Sequence, residues 1–292
     1  MTERVTFRSG EVDCVGHWYG RATAGVRPCV VLCAGFTGTQ DTPSIVATAQ
    51  AFAAAGHLAL TFDYRNFGLS GGEPRQVVDV PGQLQDVAAA VAAARGHSGV
   101  DPDGVVLWGT SLGGGHAVTV AAGDPRIAAV VAQVPFNGFP RRVGGRSSRA
   151  TVRLLAAMVT DALRGALGRG PSYIPVVGGP GDLAVMASAE AQRAVEAMDS
   201  PTWRNEVAPR SLLGLMRYEP GDRAADLRMP LLVSIGEHDR ETLGEDTAEL
   251  AQKAPRGSLR TYPWAHFDFY RPEVRATVVA DQLDFLRGAL AS

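Results

Sequence analysis

Ser111, Asp239 and His266 are three residue types that together can open a carbonyl bond, and they stand in that chain order. Ser111 lies in Gly109-Thr110-Ser111-Leu112-Gly113, directly after the apolar run Val105-Val106-Leu107-Trp108 and before Gly114 and Gly115. An apolar strand-like run, then Gly-x-Ser-x-Gly, then a small-residue helix start reads as strand, sharp turn and helix. Such a turn holds the serine in a strained backbone, so the positions two residues either side must be small. Gly109 and Gly113 meet that demand. The hydroxyl is pushed out above the strand end. The first N–H groups of the helix, which have no carbonyl four residues back, face the same space.

A serine hydroxyl is a poor nucleophile at neutral pH. It needs a base within hydrogen-bond reach, and the base needs an orienting carboxylate. Ile235-Gly236-Glu237-His238-Asp239-Arg240-Glu241 follows one apolar run, and Tyr262-Pro263-Trp264-Ala265-His266-Phe267-Asp268 follows another. Asp239 has rivals. Glu237 is nearer the strand end and is the main alternative, Glu241 is further away, and Asp268 is two residues past the histidine. Of six histidines, His17 falls in an N-terminal hairpin, His57 at the amino end of a strand, and His97 in a polar loop. His116 lies five residues into the helix after Ser111, and His238 neighbours the acid. His266 alone lies on a late strand-end loop. An oxyanion needs two backbone donors. Leu112 N–H follows the nucleophile, and Phe36 N–H, in Gly35-Phe36-Thr37-Gly38, belongs to the loop after an early buried strand.

These groups need a frame to hold them. Residues 4–19 read as an antiparallel hairpin turning at Ser9-Gly10-Glu11. Residues 28–34, 57–62, 105–108, 127–134, 231–235 and 258–262 read as strands. Helices are expected over 44–55, capped by Ser44 and stopped by Gly56, and over 80–95, 112–122, 243–253 and 272–290. Alternation of this kind predicts an α/β protein with a doubly wound, mostly parallel sheet and its functional loops at the carboxyl ends of the strands. About ninety residues separate Val134 from Leu231, against the dozen a crossover needs. Helical spacing over 147–167, 184–198 and 205–216 predicts a helical cap, residues 136–227, inserted into a core of 1–135 and 228–292. An independent domain is the alternative, but three short helices rarely build a core alone. Within the cap, Phe136, Trp203 and Met216 are candidate substrate contacts, with Met198, Leu212 and Leu215 as either pocket or cap core.

The remaining features narrow the class. With 46% hydrophobic and 20% charged residues, the chain suits a globular protein with a full core. A net charge of −2 gives no reason to expect nucleic acid or an anionic membrane surface. No stretch is apolar and long enough to span a bilayer, and the charged N-terminus does not read as a signal peptide. Cys14, Cys29 and Cys33 are an odd count without C-x-x-C, which predicts buried thiols and a cytoplasmic setting. No metal motif is present. Gly109 to Gly115 lacks the Lys-Ser/Thr ending of a P-loop. Asp63 and Arg65 read as an internal pair holding their loop. Arg141, Arg142, Arg146 and Arg149 read as a solvated face or an attractor of acidic substrate. A homodimer is compatible with all this, and nothing in the sequence fixes the oligomeric state.

The order nucleophile, acid, base, together with the elbow, resembles the α/β-hydrolase superfamily over nearly the whole chain. Within it, Gly35-Phe36-Thr37-Gly38, Phe62 to Gly72 and Ala265 to Tyr270 are similar to the dienelactone-hydrolase and X-prolyl-peptidase-like branch. The resemblance implies the α/β-hydrolase fold with Ser111 as nucleophile, Asp239 as acid, His266 as base, and no cofactor. Two positions depart from the pattern. Ala34-Gly35 stands where His-Gly is common, and Asn66 where a glycine is usual, a residue that also tolerates left-handed backbone. The expected activity is hydrolysis of a small-molecule ester, with thioester, lactone or amide as further candidates. Acyl transfer or C–C cleavage on the same residues, and a non-catalytic binding protein, are the alternatives.

Overall fold

The chain, a computed structural model, is described over residues 2–21, 25–139, 148–242 and 244–291. The antiparallel hairpin is β1 (Thr2–Ser9) and β2 (Val12–Tyr19). Then come β3 (Arg27–Cys33), α1 (Pro43–Ala54), β4 (Leu58–Phe62), α2 (Val80–Gly96), β5 (Val100–Thr110), α3 (Leu112–Ala121) and β6 (Ala129–Gln133). The helix α1 starts on Pro43, whose missing N–H costs nothing in the first turn. Thr42 therefore precedes the helix, and Ser44, expected as the cap, is buried inside it.

The segment after β6 holds α4 (Ser148–Ala166), the two-residue parallel pair β7 (Val177–Gly178) and β8 (Met186–Ala187), α5 (Ala189–Met198) and α6 (Ser211–Leu215). A 3-10 turn, Pro220–Asp226, leads back to β9 (Leu231–Gly236), α7 (Gly244–Lys253), β10 (Gly257–Tyr262) and α8 (Pro272–Leu290). The two later helices of this segment are shorter than their periodicity predicts. Met186 and Ala187 are drawn into pairing with Val177 and Gly178, and Ser188 then caps α5 by accepting the Ala191 N–H at 2.9 Å. Pro209 disfavours helical backbone before it. Asn205 spends its amide on both backbone groups of Val177, so α6 begins only at Ser211. Arg141, Arg142 and Arg146 lie outside the described residues, and Arg149 is exposed on α4.

The eight strands run in the order β1-β2-β4-β3-β5-β6-β9-β10, antiparallel in the first two pairings and parallel in the rest. β6, β9, residues 29–33 of β3 and residues 104–110 of β5 are largely apolar and buried, as strands covered on both faces must be. α1 packs with α8 on one face, and α2, α3, the 3-10 turn and α7 cover the other. The strand order reverses beside β3, so its carboxyl end and that of β5 bound a crevice at the switch point.

The loop after β4 is held differently from expectation. Asp63 and Arg65 do not pair. Asp63 is fully buried and accepts the Gln40 N–H at 2.8 Å, the Gln40 amide at 2.7 Å and the Leu69 N–H at 2.8 Å. Burial nevertheless dominates and raises its pKa. Arg65 instead reaches Asp86 on α2, with Nη2–Oδ1 and N–Oδ2 both 2.8 Å. Asp86 is fully buried, while Arg65 keeps some contact with solvent. Removing one partner of a buried pair strands the other charge, so Asp86→Ala should cost about 3 kcal/mol. Urea unfolding checks this as a lower midpoint at unchanged slope.

Candidate active site

The site begins where β5 becomes α3. Ser111 has φ 53° and ψ −123°, a left-handed backbone at a residue with a side chain. Four backbone hydrogen bonds hold it there. Its N–H donates to Gln133 O of β6 at 3.0 Å, and its carbonyl accepts from Gly114, Gly115 and Phe136 at 2.9, 3.3 and 2.9 Å. The flanking glycines are needed for clearance. A Cβ at Gly109 would overlap the Gly113 carbonyl, and one at Gly113 would overlap the carbonyls of Cys33 and Ala34.

The turn after β3 comes up against this elbow. Gly35 O accepts the Gly38 N–H at 3.0 Å, and Thr37 takes φ 59°. That turn bond leaves the Phe36 N–H out of it. A Cβ at Gly35 would stand 3.3 Å from the Ser111 Cβ, in tight contact, so the glycine lets the Phe36 backbone reach the serine. Leu112 is the first residue of α3, so its N–H has no helical acceptor.

Asp239 follows β9 in a turn that buries it, while its neighbours Glu237 and His238 point to solvent. Its Oδ1 accepts the N–H groups of Glu241 and Thr242, both at 2.8 Å. Its Oδ2 accepts the Thr242 hydroxyl and His266 Nδ1–H, each at 2.8 Å. His266 opens the 3-10 helix His266–Tyr270 after β10 and is buried. With Nδ1 committed to the acid, Nε2 is the nitrogen left to exchange a proton. Burial acts to raise the Asp239 pKa, but the His266 ring and the Thr242 donors outweigh it and hold the carboxyl below its ordinary range. Burial likewise opposes the His266 cation. Asp239, helped by Glu241 and by Glu190 on α5, prevails and holds its pKa above the ordinary imidazole value of 6.5.

Two cavities meet at Ser111. The smaller, about 40 Å³, lies against Ile45, Thr110, Met198, Phe267 and Tyr270. The larger, about 150 Å³, runs under Phe136, Phe139, Leu212 and Leu215, with Arg240, Glu241 and Thr242 at its polar side. Phe36, Ser111, Met186 and His266 line both. A wider open groove between Ala121–Pro125 and Ala225–Arg228 holds no serine, cysteine or histidine in its lining.

The predicted contacts divide. Phe36, Leu112 and Phe136 line the larger cavity, as do Leu212 and Leu215, and Met198 lines the smaller. Trp203 does not line either one. It is buried beside the loop Ser200–Thr202, whose hydroxyls bond Asp41. Met216 is 54% exposed, because α6 ends before it and turns it outward. His116 is buried on the underside of α3 between Tyr218 and Gln83 (3.0 and 3.1 Å), and burial pushes its pKa down to about 3. Sequence reading missed Thr242, Met186 and Tyr270. A threonine three residues after the acid was the one legible signal. Met186 depends on the β7–β8 pairing and left none.

A serine at a strained strand–helix turn, lining the same two cavities as a histidine bonded to an aspartate at the carboxyl edge of a doubly wound sheet, is the arrangement of an α/β hydrolase. This chain belongs to the family described as serine aminopeptidase, S33, whose model matches residues 24–267. Over 286 residues it is 35% identical to the quorum-quenching protein AidA of Acinetobacter baumannii (strain MDR-ZJ06), covering 97% of this chain and 93% of that one. It is 33% identical over 224 residues to the polyketide transferase ATR5 of Stachybotrys chlorohalonatus (strain IBT 40285), covering 75% and 73% of the two chains. The crystal structure of the α/β hydrolase GrgF from Penicillium sp. sh18 matches with a TM-score of 0.84 over the full length of both chains, at 22% identity, a likeness of fold.

The clearance at Gly113 gives a direct check. Gly113→Ala forces Cβ into the β3 carbonyls and should destabilise the protein by about 1–3 kcal/mol while displacing Ser111. Thermal unfolding and ester turnover should therefore fall together.

Proposed function

We propose that this enzyme forms an acyl-enzyme on Ser111, with His266 as the general base and Asp239 as its orienting acid. The observation that carries the reading is the shared position of Ser111 and His266 on both cavities, with His266 Nδ1 already bound to Asp239 at 2.8 Å. Ser111 Oγ attacks the carbonyl carbon as His266 Nε2 takes its proton. The oxyanion that forms is held by the N–H groups of Phe36 and Leu112, each donor lowering the barrier by about 3 kcal/mol. The tetrahedral adduct collapses, His266 returns the proton to the leaving oxygen or sulfur, and a second nucleophile activated by Nε2 releases the acyl group. Asp239 keeps the imidazole in the tautomer this sequence of steps needs.

Residues 136–227 act in this reading as a cap. The cap is tied to the core by Asp41, which accepts hydroxyls from Ser200 and Thr202 at 2.8 and 2.7 Å, and by the Gln76 amide on Glu206 O at 3.0 Å. It roofs the larger cavity with apolar side chains and so limits water at Ser111. The substrate is an ester, thioester or lactone of a small molecule. The loops Phe62–Gly72 and Ala265–Tyr270 support the dienelactone-hydrolase and X-prolyl-peptidase-like branch. The three free, buried cysteines suit a reducing, cytoplasmic compartment.

Acyl transfer is the second reading. It is favoured by the two cavities that meet at Ser111, one for the acyl group and one for an acceptor. A relative named as an acyltransferase of Aspergillus calidoustus matches 54% of this chain.

A fluorophosphonate probe should label the wild type and not Ser111→Ala, and a folded wild type that resists labelling would overturn the proposal. Asp239→Asn should keep the fold and lose about 10⁴-fold in kcat. Near-wild-type rates would transfer the acid role to another carboxylate. Because the base must be neutral and its pKa is raised, the acid limb of kcat/KM should turn above pH 6.5. Activity should be lost as pH falls through that point. Hydrolysis of p-nitrophenyl esters beside matched thioesters, with and without an added alcohol or amine acceptor, separates hydrolase from transferase.

A further inference from the structure

α4 is apolar on both sides. Its inner face packs Met158 into the core and places the buried Asp161 against Arg210 of the loop before α6. Its outer face carries Val152, Leu155, Val159, Leu163 and, one residue past the helix, Leu167, all between 46% and 71% exposed. At 1.5 Å per residue this stripe is about 22 Å long. Single exposed apolar residues are ordinary, but a continuous helical stripe marks an interaction surface. Among the described residues, nine of the twelve exposed large apolar side chains fall between Phe139 and Met216.

Charge is gathered at the same place. Among the described residues from Arg149 to Arg169 there are four arginines, and the one acid is Asp161, which is buried, in a chain whose net charge is −2. At 100° per residue, Arg149, Arg153 and Arg164 follow one flank of the stripe. An apolar helix face edged by arginine is the arrangement that lies in the boundary of an anionic bilayer, side chains in the acyl region and guanidinium groups at the phosphates. A second copy fits the charge less well, since α4 exposes no acid for those arginines to meet. α4 also sits beside the larger cavity. It packs on α6, whose Leu212 and Leu215 line that cavity, and Phe139 at the cavity wall is itself 42% exposed.

We propose that the outer face of α4 docks this enzyme on an anionic phospholipid surface, which brings the cavity lined by Phe139, Leu212 and Leu215 to the lipid boundary where amphiphilic acyl substrates partition. The membrane is touched and not crossed: among the described residues no helix is long and apolar enough to span it.

Flotation with vesicles tests this on the full chain. Wild type should float with phosphatidylcholine vesicles containing about one third phosphatidylglycerol, and not with phosphatidylcholine alone. Binding should weaken at about 0.5 M NaCl. Leu155→Glu with Leu163→Glu should lose at least about tenfold in binding, yet keep the wild-type circular dichroism and hydrolysis of soluble p-nitrophenyl acetate. Arg149→Glu with Arg153→Glu, which touches no apolar contact, should weaken binding alone. Ser111→Ala should bind as wild type does, so docking is read independently of catalysis. Absence of binding to anionic vesicles, or binding unchanged in both double variants, overturns the proposal. So does light scattering that shows a wild-type dimer turned to monomer by Leu155→Glu with Leu163→Glu, which would assign the stripe to a second copy.

Discussion

The left-handed backbone at Ser111 is the constraint around which the rest of the molecule is arranged. A residue with a side chain in that conformation costs about 1–3 kcal/mol, and it persists only if its surroundings permit nothing else. Four hydrogen bonds from β6, α3 and the post-β6 loop fix its peptide groups. Gly109 and Gly113 remove the atoms that would collide with α3 and with the end of β3. The same clearance draws the β3 turn against the serine, so the strain at one residue also sets where Phe36 N–H can stand. Val134, β-branched and at φ 36°, is strained as well. It ends β6 with its N–H on Ser234 O at 2.7 Å and lets the chain curl so that Phe136 reaches the Ser111 carbonyl.

Asp239 and His266 show how a charge is kept in a buried place. Desolvation is the largest influence on both Asp239 and His266, and it opposes charge on each. It is outweighed because the carboxylate accepts four hydrogen bonds, with Thr242 giving two. A carboxylate so satisfied stays ionised and can stabilise an imidazolium when one forms. His116, equally buried but given only neutral partners, is driven the other way. Two histidines of one chain thus differ in basicity through what faces them.

The segment between β6 and β9 is held to the core by hydrogen bonds spread along it. Asp41 gathers Ser200 and Thr202, Gln76 exchanges bonds with Glu206 and Ala208, Ser211 accepts from Val78 N–H, and Tyr218 joins Thr119 and His116. Its inner surface is built from apolar side chains that the core alone would leave exposed. Its outer surface, along α4, keeps apolar residues exposed among the described residues.

Strand and helix order, the elbow at Ser111 and the chain order of serine, aspartate and histidine were legible because each rests on local rules. Apolar runs of period two or continuous character make strands, Gly-x-Ser-x-Gly makes a turn, and these signals need no knowledge of distant residues. Asp239 and Glu237 are both strand-end acids, and only the β9 turn, which buries one and exposes the other, distinguished them. Arg65 found Asp86 because α2 crosses β4 at that height, a matter of packing. Trp203 and Met216 carry apolar side chains that suit a pocket as well as a core, and Pro209, the Asn205–Val177 bonds and the end of α6 decided their direction. The sequence by itself determined which atoms are available for chemistry and in what fold they are carried. Tertiary structure alone decided which side chains surround them, because neighbours far apart in the chain meet only after the backbone's own demands have been met.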